Sequence, residues 1–151
     1  MQSLEQAIKQ TEFSNEQVKA HVNVLYTANY VYNKISAALK PFGLTHEQFN
    51  VLRILRGSHP NSMCQKEILA RMVAPNSNVT LIVKKLVAKK WISVCQSERD
   101  KREYIIQITD DGLEVLKKTD LTINKDHLKL NSLSVSEAFH LNALLDKLRQ
   151  E

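Results

Sequence analysis

Residues 76–108 read NSNVTLIVKKLVAKKWISVCQSERDKREYIIQI, and the fold turns on how apolar spacing changes inside this stretch. In its first half Val79, Ile82, Val83 and Leu86 recur at i, i+3, i+4 and i+7, the stripe of a helix with one buried face. Beyond Trp91 the period falls to two. Ile92 and Val94 alternate with Ser93 and Cys95, and Tyr104, Ile106 and Ile108 alternate with Ile105 and Gln107, as in two strands. Their link, Ser97-Glu98-Arg99-Asp100-Lys101-Arg102, is wholly polar, so its backbone needs water and the pair reads as a protruding hairpin. The helix face opposite the stripe carries Asn76, Ser77, Thr80, Leu81, Lys84 and Lys85. Asn, Ser and Thr can hydrogen-bond base edges, Leu81 or the Thr80 methyl can meet a thymine methyl, and the lysines can reach phosphates. Seven Lys and Arg stand against Glu98, Asp100 and Glu103 in residues 76–108, a local charge of +4 out of +5 for the chain. Arginines at a hairpin tip suit the deep negative potential of a minor groove.

Upstream, Ser62 with Gln65 forms a capping-box pattern opening a helix with Ile68, Leu69 and Met72 inward, and the next helix begins within about three residues of Pro75. Two short helices joined by a tight turn, then a hairpin wing, make a winged helix-turn-helix. Three more pairs of the same kind, Ser14/Gln17, Thr45/Gln48 and Ser134/Glu137, mark further helix starts. The helix after Ser14 is long, with Val24, Leu25, Ala28, Val31, Tyr32, Ile35 and Leu39 on its stripe and Pro41 and Gly43 at its end. The helix after Thr45 buries Phe49, Leu52 and Leu55. Thr109 caps another through Asp110-Asp111, and Ser134 opens the last, with Phe139, Leu141, Leu144, Leu145 and Leu148. Leu4, Ala7 and Ile8 suggest a further small helix. The fold class is therefore mainly α with a small two- or three-stranded β-wing.

The 151 residues suffice for one core with helical extensions. No stretch has the eighteen consecutive apolar residues of a membrane span, and the first residues lack the order of a signal peptide, which leads us to expect a cytoplasmic protein. Cys64 and Cys95 lack a CxxC pairing, and His21, His46, His59, His127 and His140 are scattered, so neither a zinc site nor any other metal is expected. No nucleophile elbow, P-loop or dinucleotide fingerprint is present, and three glycines leave little for a phosphate-cradling loop. We expect no enzyme and no cofactor.

From Leu44 to Leu116 the chain resembles the MarR family of transcriptional regulators. The resemblance lies in Leu44-Thr45-His46-Glu47-Gln48-Phe49-Asn50-Val51-Leu52, Gln65-Lys66-Glu67-Ile68-Leu69-Ala70, Ser77-Asn78-Val79-Thr80 leading to Lys85-Leu86, Arg99-Asp100-Lys101-Arg102, and Ile108-Thr109-Asp110-Asp111-Gly112. It implies that Arg102 is the minor-groove arginine of the wing, Asp100 its orienting salt-bridge partner and Arg99 a second backbone contact. It also implies a division into a winged helix-turn-helix DNA-binding region, 44–111, and N- and C-terminal dimerisation helices, 14–40 and 112–151, whose apolar stripes exceed what a small wing domain buries alone. The activity implied is sequence-specific DNA binding by a homodimer on a palindromic operator, most often as a repressor. The chain departs from the family at Ser97, where the wing usually begins with Asp; at Lys90-Trp91, where Gly-Leu is common; and at Leu81, where arginine is frequent.

Release by a small aromatic or phenolic effector is common in the family, and Tyr26, Asn29, Tyr30 and Tyr32 are the residues here that such a pocket would use. The family's peroxide sensors carry a cysteine near the start of the first long helix, where this chain has none. Cys64, at the start of a helix, is the candidate thiol and Cys95 lies in a wing strand. The alternative function is a winged-helix module for protein or RNA contact, which differs from duplex binding in its response to salt.

Overall fold

The computed structural model describes residues 2–74, 77–97, 101–126 and 132–150. Its elements are α1 (Leu4–Ile8), α2 (Glu16–Leu39), a 3-10 turn (Lys40–Phe42), α3 (His46–Ser58), β1 (Met63–Cys64), α4 (Gln65–Ala70), α5 (Val79–Ala88), β2 (Ile92–Gln96), β3 (Tyr104–Ile108), α6 (Asp110–Asp126) and α7 (Val135–Leu148). The architecture is mainly α with a three-stranded antiparallel sheet in the order β1-β3-β2, the winged helix-turn-helix expected of the sequence.

Two capping boxes form as their residues predict. At α3 Thr45 Oγ1 accepts from the Gln48 N–H and Gln48 Oε1 from the Thr45 N–H, both at 3.3 Å. At α7 the Glu137 carboxylate accepts from the Ser134 N–H at 2.7 Å, and this bond, with that of the Ser134 hydroxyl, holds the carboxyl below its ordinary pKa. Ser3 and Gln6 form a third box that starts α1. Two starts are displaced. At α2 Asn15, not Ser14, is the cap, its Oδ1 accepting from Val18 N–H at 2.8 Å. At α4 the cap is Cys64 rather than Ser62, because Met63 and Cys64 pair with Ile106 and Ile105 of β3 and cannot enter the helix. Glu67 then closes the turn by accepting from the Cys64 N–H at 2.8 Å.

α3 is the central element, packed against α2, α5, α6 and β3. Its Leu52 and Leu55 meet Ile68 of α4, Leu86 of α5, Ile106 of β3 and Leu116 of α6 in a core where all six are fully buried. Leu69, expected inward, is exposed, and Met72 is buried but lies beyond the end of α4. An Arg56–Asp120 ion pair at 2.5 Å joins α3 to α6. α7, by contrast, buries none of its residues: Val135, Phe139 and Leu144 stand in solvent, as does Leu25 of α2.

Candidate nucleic-acid interface

α5 is held by the stripe that the sequence shows, with Val79, Ile82, Val83 and Leu86 all buried. Thr80, Leu81, Lys84 and Lys85 are exposed on the other side, as expected. The helix starts later than its sequence suggests. Asn78 is the cap, its Oδ1 accepting from the Leu81 N–H at 3.1 Å, so Ser77 precedes the helix instead of riding on it. Ser77 is half-buried and its hydroxyl donates to the Ala74 carbonyl at 2.7 Å. Asn76 lies outside the described residues. An Asn directly before the first apolar residue of the stripe is the signal that fixes this start, in preference to the proline three residues earlier.

The connection from α4 to α5 is longer than a tight turn, running from Arg71 to Asn78. It is pinned to α3 by Asn50, whose Oδ1 accepts from the Val73 N–H at 2.9 Å. A second brace crosses between the two helices themselves: the Thr80 hydroxyl donates to Gln65 Oε1 at 3.0 Å. No local pattern hints at either contact, since each joins residues distant in the chain.

The wing is an antiparallel hairpin in which Ile92 opposes Ile108 and Gln96 opposes Tyr104. Its outer end is closed by Ser97 N–H to the Glu103 carbonyl at 2.8 Å and by Gln96 Nε2 to the Lys101 carbonyl at 2.5 Å. Lys101 and Arg102 are exposed at the turn beyond β2. Arg99 and Asp100 lie outside the described residues. At the base, Lys90 adopts a left-handed φ of 61° and Thr109 Oγ1 donates to its carbonyl at 2.8 Å while accepting from Gly112 N–H at 3.2 Å. Lys89 lies over the Trp91 ring, 4.5 Å from its centroid, and donates to the Gly43 carbonyl.

The expected pocket residues separate. Tyr32 stacks on His46 with ring centroids 3.9 Å apart, and the His46 Nε2 is 2.8 Å from the Tyr32 carbonyl oxygen. With Ser36, Lys40, Leu44 and Thr45 these two line a cavity of about 370 Å³. Tyr26, Asn29 and Tyr30 line neither this cavity nor one of about 400 Å³ between Phe42, Trp91 and Val115. Helical geometry explains part of it, since residues two apart, such as Tyr30 and Tyr32, point about 200° away from each other. Among the described residues no group of three or more metal-ligating side chains occurs. Cys64 and Cys95 both sit opposite Ile105, on either side of β3. Two strand spacings, roughly 9–10 Å, put them beyond disulfide reach.

A short helix braced to a second, exposed polar-basic helix and followed by a charged hairpin defines a winged helix-turn-helix protein. Residues 33–119, more than half of the chain, match the family model described as Transcriptional regulator SarA/Rot. The HTH-type transcriptional regulator MgrA of Staphylococcus aureus is 30% identical over 119 residues, covering 78% of this chain and 76% of that protein. YwoH of Bacillus subtilis, an HTH-type transcriptional regulator, is 35% identical over 86 residues, 57% of this chain and 61% of its own length. Among solved structures, a cysteine-to-serine mutant of MarR from E. coli complexed with operator DNA superimposes with a TM-score of 0.78 at 21% identity, over 93% of this chain and 100% of that one. The chain belongs to the SarA/Rot family of transcriptional regulators, on the MarR-like winged-helix fold, and is a DNA-binding transcriptional regulator. No helix among the described residues is long and apolar enough to cross a membrane.

Proposed function

We propose that the chain binds a palindromic operator as a homodimer and represses transcription from it in the cytoplasm, acting by binding rather than catalysis. The observation that carries this reading is α5, which commits four apolar residues to the core and offers Thr80, Leu81, Lys84 and Lys85 to solvent. In a major groove the first two reach base edges and the lysines reach phosphates. Lys101 and Arg102 place positive charge at the wing, where a neighbouring minor groove would lie. Ser77 joins them as a residue of the loop entering α5, and Asn76, Arg99 and Asp100 keep the roles their sequence suggests. Residues 44–111 form the DNA-binding region, and 14–40 with 112–151 the dimerisation region. Exposed Leu25, Val135, Phe139 and Leu144 support that division, because apolar surface on two helices needs a cover. A small aromatic or phenolic effector would fit beside Tyr32, in the cavity between α2 and the start of α3.

The test is fluorescence-anisotropy binding to the intergenic duplex beside the gene, with Arg102→Ala and Lys84→Ala. Each substitution should weaken binding about three- to tenfold across sequences, as loss of a phosphate or groove contact does. Affinity unchanged by both would move these residues out of the interface and favour a protein- or RNA-contact module.

A further inference from the structure

The bond between Thr80 and Gln65 fixes more than the angle between two helices. Thr80 stands in the first turn of α5 and Gln65 is the first residue of α4, and the hydroxyl proton goes to the amide oxygen at 3.0 Å. That uses the only hydrogen the Thr80 side chain can donate and engages the carbonyl of Gln65. Left over are the lone pairs of Thr80 Oγ1 and the two N–H donors of Gln65 Nε2. Thr80 is exposed and Gln65 half-buried, so this acceptor beside a donor lies at the same surface as Leu81 and Lys84.

In the major groove adenine presents an amino donor at N6 beside an acceptor at N7. Guanine presents two acceptors, cytosine one donor, and thymine an oxygen acceptor beside a methyl group. Only adenine matches both halves of the pair. A glutamine acting alone reads adenine with its own oxygen and nitrogen; here the oxygen is taken, so the reading is divided between two helices. Water is displaced when the duplex docks, and a mismatched base then leaves a desolvated polar atom without a partner, which turns a weak surface bond into a discriminating one.

We propose that Gln65 and Thr80 form one composite reader of adenine, which makes Gln65 a specificity-determining residue supplied by α4. The proposal rests on the reading of α5 as the groove-facing helix. Thr80 Oγ1 accepts from the adenine amino group while Gln65 Nε2 donates to N7.

The test begins with a duplex selected from a random pool by the wild-type protein. Each adenine is replaced in turn by 7-deazaadenine, which lacks the N7 acceptor, or by purine, which lacks the amino group, and affinity is read by anisotropy at fixed salt. The expected result is one adenine per half-site at which either analogue weakens wild-type binding about tenfold. Gln65→Met should abolish the 7-deaza penalty and Thr80→Val the purine penalty, with the salt slope unchanged. Wild-type protein indifferent to both analogues at every adenine would overturn the proposal, and needs no variant to fold. So would Gln65→Met that weakens all duplexes equally with both penalties intact, the behaviour of a mere brace. A wild-type protein that selects no duplex would remove the groove-facing reading of α5 itself, and this proposal with it.

Discussion

At Gly112 an added Cβ would run into the Trp91 carbonyl oxygen and stand 2.7 Å from Ile108 Cγ1, so the first turn of α6 lies directly on the base of the wing. Gly112→Ala should cost about 1–3 kcal/mol, the usual range for forcing a methyl into a packed site. A chemical denaturation midpoint that does not move would show that α6 can slide off Trp91. Nearby, Lys90 holds a left-handed backbone at a position where the resembling family commonly has glycine. Lys90→Gly should therefore stabilise the protein by about 0.5 kcal/mol, the strain relieved exceeding the added flexibility of the unfolded chain; destabilisation would mean that the lysine side chain does more than tolerate its place. The exposed residues of α5 were legible in the sequence because helical spacing fixes both faces once the apolar one is known. Ser77 was not, because the helix start depends on which of two local signals wins, and the Asn78 cap outweighs Pro75. Gln65 was hidden because its partner lies fifteen residues on.

Among the elements, α1 and β1 show where local patterns end. α1 is five residues long and is tied to α2 by the Glu5–Lys19 ion pair at 2.6 Å. The Lys19 ammonium, followed by backbone N–H bonding, lowers the Glu5 pKa to about 2 from 4.5. A depressed carboxyl stabilises the docked helix fully above about pH 4.5 and loses that contribution as pH falls through about 2. Amide exchange across Leu4–Ile8 should accelerate, relative to the intrinsic rate, below pH 4.5, and Glu5→Gln should flatten that dependence; equal profiles would show that the pair does not hold α1. β1 is two residues and exists only by pairing with β3 some forty positions later, which no periodicity reveals. The β2–β3 hairpin, by contrast, was plain from alternation and a polar tip, and the boxes at Thr45 and Ser134 formed where no neighbouring cap or strand pairing displaced the three-residue pattern, as Asn15 does at Ser14 and β1 does at Ser62.

For the molecule as a whole, a winged helix alone does not account for two long helices that leave apolar side chains in water. Phe139 and Leu144 of α7 are 71% and 65% exposed, and in a homodimer they would be covered by the partner. Phe139→Glu should raise the dimer dissociation constant about thirtyfold or more, as truncating a central apolar contact does, measured by sedimentation equilibrium. A wild-type chain that sediments as a monomer would contradict the dimerisation region. The fold class was readable because core spacing repeats over whole helices; the face proposed to meet a second copy shows in the sequence only as apolar residues in excess.

The central claim, that α5 and the wing hold duplex DNA through basic side chains in both half-sites, is tested most directly by the salt slope. Binding of the wild-type protein to its selected duplex should fall about 10³–10⁵-fold between 50 and 200 mM salt, as expected for roughly 6–10 phosphate contacts. Affinity that stays flat over the same range would contradict it.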